Sequence, residues 1–338
     1  MSDYNVFNLG DVELQSGVVL PDIKLAYKTY GALNQARSNV VVLPTFYTGD
    51  HIRNEGFFGT GRAIDPARHF IVSVNMFGNG YSSSPSNTPP PFDGPRFPAI
   101  TLHDNVACQH RLLTEEFGIE SVALVAGWSM AGCQSYQCAA QFPDMVKAIV
   151  PFCASAKTSP HNIVFLEGVQ AALQADGEWN GGDYDTQPER GLRAFGRVYA
   201  GWAFSQSFYR EGLYKKLGFE TLEDLLIDWE EDHVINWDAN NLLTKLQSWK
   251  NGDISNNVLY RGDFKAALGA INAKAILIPS TTDLYFPPED NEIEIMHMPN
   301  AELRPFESVW GHCAASPGND PEFANFLDCA INDVLDIA

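Results

Sequence analysis

The chain has 338 residues and a hydrophobic content of 45%, enough for a sizeable core in one large domain or two smaller ones. Its 42 acidic and 22 basic residues give a net charge of −20, which disfavours binding to nucleic acid or to an anionic membrane surface. The opening segment MSDYNVFNLG lacks signal-peptide features, and no apolar run approaches the roughly 18 residues of a membrane span. We therefore expect a cytoplasmic protein that does not enter membranes and whose six cysteines are reduced and buried.

Strand and helix patterns alternate along most of the chain. Residues 4–30 alternate in a strand-like way with turns at Gly10 and Gly17, which predicts antiparallel strands at a sheet edge. A final helix is expected at 321–336. This order predicts an α/β fold with a mostly parallel central sheet flanked by helices. The other strand patterns lie at 39–44, 69–74, 121–126, 147–152, 274–280 and 301–307.

The strand signal stops between residues 158 and 265. This stretch is helical in pattern and holds five of the seven tryptophans. We predict that 158–265 is a helical cap, or lid, inserted into a core made of residues 1–157 and 266–338. The aromatic density favours packing between cap helices over a ligand-binding box.

A serine lies at the centre of the most informative segment, SVALVAGWSMAGCQ (121–134). An apolar strand pattern leads to Gly127, and a helical pattern begins soon after Ser129. A serine on such a turn is typical of the nucleophile elbow of α/β-hydrolases, G-x-S-x-G. Ala131 departs from the strict motif, and Gly132 follows it. The helix N-terminus behind the serine favours developing negative charge, so the pattern predicts a nucleophile.

Two partners for Ser129 follow in the order that this fold uses, an acid and then a histidine. Asp283 comes just after the strand pattern 274–280, and His312 lies on a loop after the last one. His312 would take the serine proton and return it to the leaving group, while Asp283 would hold the imidazole. Asp290 is a rival for the acid.

The oxyanion hole needs two main-chain N–H groups, one of them from the residue after the serine, Met130. The second should come from the loop after the strand pattern 39–44, and the amide of Tyr47 is the candidate. Cys133 and Cys313 adjoin the proposed site, but neither is on the elbow, so a cysteine nucleophile is poorly supported. The sequence holds no P-loop, G-x-G-x-x-G or H-E-x-x-H motif, and its histidines are scattered; we expect neither metal nor cofactor.

Several linked segments resemble the homoserine O-acetyltransferase family. GWSMAGCQ is similar to its elbow, NMFGNGYSSSPSNT with FPAITLHDNVACQHRLL to the segment before it, NIVFLEG and NWDANNLL to its cap motifs, and WGHC to its histidine loop. The resemblance covers nearly the whole chain. It implies an α/β-hydrolase core, a helical cap, an acyl-enzyme on Ser129, and a homodimer. It also carries the triad onto Ser129, Asp283 and His312, and the oxyanion donor onto Tyr47.

Two departures from that family bear on the substrate. Its members resemble one another in an arginine on the first cap helix and an aspartate after the catalytic histidine. In this chain those positions hold Gln170 and Cys313. Charge-assisted contacts to homoserine, worth roughly 1.5–3 kcal/mol each, are thereby lost.

Trp128, Cys133, Gln170, Trp310 and Cys313 would then form a neutral pocket around a small-molecule ester. The expected activity is a serine esterase for short acyl esters, most simply acetates, of simple alcohols. Two alternatives stay open. One is an acyl-CoA-dependent O-acetyltransferase acting on homoserine or another small alcohol. The other is an inactive relative that serves as an interaction module.

Overall fold

The computed structural model describes residues 3–335. Eight strands form one sheet in the order β1-β2-β4-β3-β5-β6-β7-β8. β1 and β2 are antiparallel to their neighbours, and β3 to β8 run parallel, which confirms the predicted sheet and its antiparallel edge. The strands are β1 (Asn5–Glu13), β2 (Val19–Tyr30), β3 (Val40–Pro44), β4 (Phe70–Val74), β5 (Leu124–Trp128), β6 (Ala148–Phe152), β7 (Lys274–Leu277) and β8 (Ala301–Leu303).

The central strands are fully buried because helices cover both faces of the sheet. All five residues of β3, and likewise of β5, are buried. The helices are α1 (Leu102–Arg111), α2 (Met130–Gln141), α3 (Pro160–Gln174), α4 (Glu189–Ala203), α5 (Gln206–Arg210), α6 (Leu222–Asn236), α7 (Ala239–Lys250), α8 (Phe264–Gly269), α9 (Pro288–Ile295) and α10 (Phe323–Leu335).

Three strand ends differ from the sequence prediction. β5 continues through Gly127 and Trp128, which pair with the last residues of β6. β7 and β8 stop early, at Leu277 and Leu303. Each of these two strands meets a proline two residues later, and a proline cannot donate to a sheet ladder.

The helical insertion lies between β6 and β7 and contains α3 to α7, with α8 leading back to the sheet. Three of its helices begin at side-chain caps that satisfy exposed N–H groups: Ser159 caps α3, Thr221 caps α6 and Asp238 caps α7. Aromatic residues of α3, α4, α6 and α7 join one core cluster with the elbow and the histidine loop. A second cluster fills the opposite face of the sheet. The division into a core and a lid remains a prediction, and its terminal positions 1–2 and 336–338 lie outside the described residues.

The last helix ends at Leu335 as described, and position 336 of the predicted helix lies outside the described part. All six cysteines are free thiols, and five are buried. Cys329 is exposed, contrary to the prediction, because it falls off the buried face of α10 formed by Leu327, Ala330 and Ile331. Within residues 3–335, no helix is both long enough and apolar enough to cross a membrane.

Candidate active site

Ser129 lies between the end of β5 and the start of α2 in a backbone conformation that non-glycine residues rarely adopt. Its φ is 59° and its ψ is −129°. Its N–H donates to the Phe152 carbonyl at 3.0 Å, and its carbonyl accepts from the Cys133 N–H at 3.0 Å. Residues held in such strained conformations cluster at functional sites. The local fold therefore fixes this serine on a sharp strand-to-helix turn, as the sequence pattern predicts.

Two glycines make that turn possible. A Cβ added to Gly127 would stand 2.4 Å from the Cβ of Ala131, and one added to Gly132 would stand 2.5 Å from the Cβ of Ala154. No real side chain tolerates such distances, so any larger residue at either position must push α2 away from β5 or β6. The departure at Ala131 is accommodated because Gly127 has no side chain.

His312 is hydrogen bonded to Asp283 and not to the rival Asp290. Its Nδ1 lies 2.6 Å from Oδ2 of Asp283, and both side chains are buried. The other carboxylate oxygen accepts N–H groups from Tyr285 and Phe286, each at 3.0 Å. With Nδ1–H donated to the carboxylate, Nε2 of His312 is left as the basic nitrogen.

Ser129 and His312 border the same cavity, which has a volume of about 560 Å³. Trp128 stacks on the His312 ring with 5.2 Å between ring centroids, and the Tyr285 ring lies at 4.3 Å. Two flat faces therefore limit how the imidazole can turn. The cavity is the space in which an acyl group could meet the serine.

The two proposed oxyanion donors lie on elements that flank the serine. Met130 is the first residue of α2, so its N–H has no carbonyl one turn earlier in the helix. Tyr47 follows β3 and lines the cavity. Among residues 3–335, no acceptor is found for the Tyr47 N–H. The arrangement is compatible with both amides serving an oxyanion, a role that remains a prediction.

Only part of the predicted pocket borders the cavity. Trp128 and Cys313 are among its lining residues, whereas Cys133, Gln170 and Trp310 are not. Gln170 points along α3 and donates to Gln174 at 3.3 Å, because Val169 and Leu173 form the buried face of that helix. Trp310 packs on Phe208 instead, and Cys133 is buried within α2.

Other lining residues were not predicted as part of the pocket. α4 contributes Tyr199 and α6 contributes Trp229 and His233, while Arg53 comes from the loop after β3. Tyr285 could have been found from its position two residues after Asp283. The residues on α4 and α6 could not, because the sequence does not say which insertion helix lies over the strand ends.

The buried cysteines around the site are thiols rather than thiolates. Burial raises the pKa of Cys133 and of Cys313 to about 12. It also raises the pKa of Cys153 well above its usual range. Since only a thiolate is a strong nucleophile or metal ligand, this argues against a cysteine nucleophile. Cys153, Asp283 and His312 do place ligand-type atoms within 4.8 Å of one another, but the His312 Nδ1 proton already serves the carboxylate.

Residues 39–314 match the α/β hydrolase fold family. A probable esterase of Corynebacterium glutamicum is 37% identical over 313 residues, covering 91% of this chain and 89% of the relative. An ethyl acetate hydrolase of Pseudomonas veronii is 36% identical, covering 98% and 95%. A homoserine O-acetyltransferase of Chlorobaculum parvum is 34% identical, covering 89% and 87%.

The fold of a solved structure agrees with these sequence similarities. The acetyl esterase MekB superposes with a TM-score of 0.96 at 36% identity, covering 99% of this chain and 97% of that one. The likeness therefore spans the sheet and the helical insertion together.

Proposed function

The chain belongs to the α/β hydrolase fold family, and on that premise we propose that it is a serine esterase for short-chain, mainly acetyl, esters of simple alcohols. One observation carries the proposal. His312, hydrogen bonded to Asp283 at 2.6 Å, borders the same cavity as a serine held at φ 59° on the elbow. Nucleophile, base and orienting acid are the three groups that acyl transfer needs.

The proposed reaction runs in two halves. Ser129 Oγ attacks the ester carbonyl carbon while Nε2 of His312 takes the hydroxyl proton. The tetrahedral intermediate, its oxyanion held by the amides of Tyr47 and Met130, expels the alcohol, which receives that proton from His312. Water then attacks the acyl-enzyme, its proton passes to His312, and the proton returns to Ser129 as the carboxylic acid leaves. Asp283 stabilises the imidazolium in both halves.

The aromatic part of the cavity wall supports a small, uncharged substrate. Phe46, Trp128 and Tyr199 line the cavity together with Ser129 and provide aromatic faces. Two relatives similar to this chain are an ethyl acetate hydrolase and an acetyl esterase. Each methylene that fits such a wall gains about 0.8 kcal/mol, whereas one that does not fit costs more through overpacking. Acetate and propionate esters are therefore expected to be the best substrates, and acyl chains beyond about six carbons poor ones.

Acyl-CoA-dependent O-acetyl transfer to homoserine is the second candidate. It is favoured by the 34% identical homoserine O-acetyltransferase and by Arg53, a cation on the cavity wall. Against it, Gln170 lies off the cavity and Cys313 carries no charge where the family has an aspartate. An acidic chain of net charge −20 also offers little to the phosphates of CoA.

Product analysis separates the two. Purified protein is given p-nitrophenyl, ethyl and longer-chain esters, and in parallel acetyl-CoA with and without homoserine. Ester hydrolysis that fades beyond about six acyl carbons, with no O-acetylhomoserine formed, supports the esterase. Efficient homoserine acetylation with slow hydrolysis would establish the transferase. Failure of a fluorophosphonate to label Ser129 would favour an inactive interaction module.

Assembly and location are part of the same proposal. A homodimer is part of the proposal because the family that the sequence resembles implies one. Light scattering of the purified chain tests it.

A cytoplasmic location is supported by six free thiols, which an oxidising compartment tends to pair. Fractionation of cells that express the protein tests that.

A further inference from the structure

Tyr47 is held at two points by helix α7 of the insertion. Its hydroxyl donates to the Leu242 carbonyl at 2.9 Å, and its own carbonyl accepts a hydrogen bond from Nζ of Lys245. These partners lie three residues apart in sequence, on one face of α7. The ring end and the main chain of Tyr47 are thus both attached to a helix that is about 195 residues away along the chain.

Lys245 is unusual because it is wholly buried, with 0% of its surface exposed. Its Nζ lies 3.9 Å from the centroid of the Trp237 ring and 5.3 Å from that of Tyr47. Among residues 3–335, no carboxylate forms a salt bridge with it. Burial lowers the pKa of this lysine well below its usual range. An aliphatic side chain would fill the same volume at a lower desolvation cost, so the polar contact to Tyr47 is what distinguishes lysine here.

The loop after β3, which contains Tyr47, is also hydrogen bonded to α2, the helix that follows Ser129. Gln134, on α2 one turn after Met130, donates from Nε2 to the Thr45 carbonyl at 2.9 Å. Its Oε1 accepts from Nε2 of Gln109 at 2.7 Å, which fixes the amide orientation. The segment from Thr45 to Tyr47 is therefore held between α2, which carries one proposed oxyanion donor, and α7.

We propose that Lys245 is a positioning residue that keeps the Tyr47 amide aligned with the oxyanion formed at Ser129. The inference rests on the proposed esterase function. Lys245 does not touch the reacting atoms; its Nζ–H donates to the Tyr47 carbonyl and so restricts rotation of this residue. An oxyanion donor must stand about 2.7–3.1 Å from the developing charge, so a small rotation is enough to weaken it.

The test compares Lys245→Met with a matched control, Lys250→Met, on the same helix. Nζ of Lys250 donates to Oε1 of the exposed Glu167 at 2.6 Å. Removing a whole oxyanion donor costs about 10²–10³ in kcat, so a misaligned one should cost about 10–100-fold. We expect that loss in Lys245→Met with KM changed less than threefold, and the parent kcat in Lys250→Met. Affinity for a trifluoromethyl ketone, which forms a tetrahedral adduct, should fall by the same factor as kcat/KM.

Parent kcat in folded Lys245→Met would overturn the inference. Fluorophosphonate titration counts the active sites in each preparation. A loss of activity that only matches a lower count of active sites would also overturn the inference. Lys245→Gln, which keeps an N–H donor, should recover part of the activity. If Lys245→Met does not fold, Lys245→Leu decides, since it also removes the donor to the Tyr47 carbonyl; parent kcat in folded Lys245→Leu contradicts the proposal. Ser129→Ala keeps the underlying function separate: if that variant still hydrolyses esters, the esterase assignment itself is wrong.

Discussion

At the residue scale, the pairing of His312 with Asp283 makes a direct prediction about the acid. Asp283→Asn should lower kcat/KM by roughly 10²–10⁴, because an amide cannot orient and stabilise the imidazolium. Asp290→Asn is the matched variant, since Asp290 lies in the first turn of α9. It should stay within about threefold of the parent rate toward p-nitrophenyl acetate. A larger loss at Asp290 than at Asp283 would transfer the acid role to Asp290.

Glu294 is a buried acid away from the cavity, and its titration predicts a pH dependence of stability. It accepts hydrogen bonds from Tyr136 Oη at 2.7 Å, the Ala156 N–H at 2.6 Å and Asn291 at 2.8 Å. Burial nevertheless raises its pKa from 4.5 to about 7. A raised folded-state pKa gives stability that is present below about pH 4.5 and is lost as the pH rises through 7.

Glu294→Gln should therefore remove part of that pH dependence. Each pKa unit between the folded and unfolded states corresponds to about 1.36 kcal/mol. Between pH 5 and 8 the free energy of unfolding of the parent should therefore fall by up to about 3 kcal/mol, whereas that of the variant should not. Urea unfolding at several pH values measures the difference. Asp290, whose pKa is raised to about 6, remains titratable in both proteins. Exposed Glu292→Gln is the control on the same helix, and an identical pH profile in parent and Glu294→Gln would refute the assignment.

At the scale of elements, the histidine loop is packed against the corner between α4 and α5. Gly311 has a φ of +64°, and a Cβ there would stand 2.6 Å from the Ser205 nitrogen. Gly311→Ala should therefore displace His312 and lower kcat at least tenfold. Gly318→Ala is a close control, because Gly318 has a φ of +87° on the following turn but nothing within 4 Å of its added Cβ.

Gly318→Ala adds only the backbone strain of a left-handed alanine, about 1–2 kcal/mol, so this variant should keep the parent kcat. Circular dichroism melts report that strain, and p-nitrophenyl acetate turnover reports the geometry of the histidine. Equal kcat in the two variants would mean that the contact with α4 does not position the loop.

The elements that sequence patterns predict well are those with local signals. Ser129 and His312 each follow an apolar strand pattern and a glycine, and Asp283 follows a third strand pattern. Lys245 shows the opposite case. Within ANNLLTKLQSWK a lysine is typical of a solvated helix face, and only the Tyr47 carbonyl, distant in sequence, explains its burial. The sequence likewise does not show that Gln170 lies off the cavity, since its position alone does not tell which side of α3 faces the cavity.

At the scale of the whole molecule, three of the proposed catalytic segments are hydrogen bonded to the helical insertion. Asn162 of α3 donates to the Tyr285 carbonyl at 2.8 Å, beside Asp283. Ser205 donates to the Val309 carbonyl at 2.5 Å, close to His312. Tyr47 is held by α7. The insertion helices therefore help to position the site residues in addition to covering the cavity.

The hydrogen bonds between the insertion and the site determine when activity appears during folding. The contacts join residues separated by 104 to 195 positions, and contacts of long sequence separation form late because loop closure precedes them. Refolding chains should regain esterase turnover only when the insertion docks, which tryptophan fluorescence reports because five of the seven tryptophans lie in the insertion. The time courses of fluorescence and activity should then superimpose. Full activity before the tryptophan signal returns would show that the sheet alone assembles the catalyst.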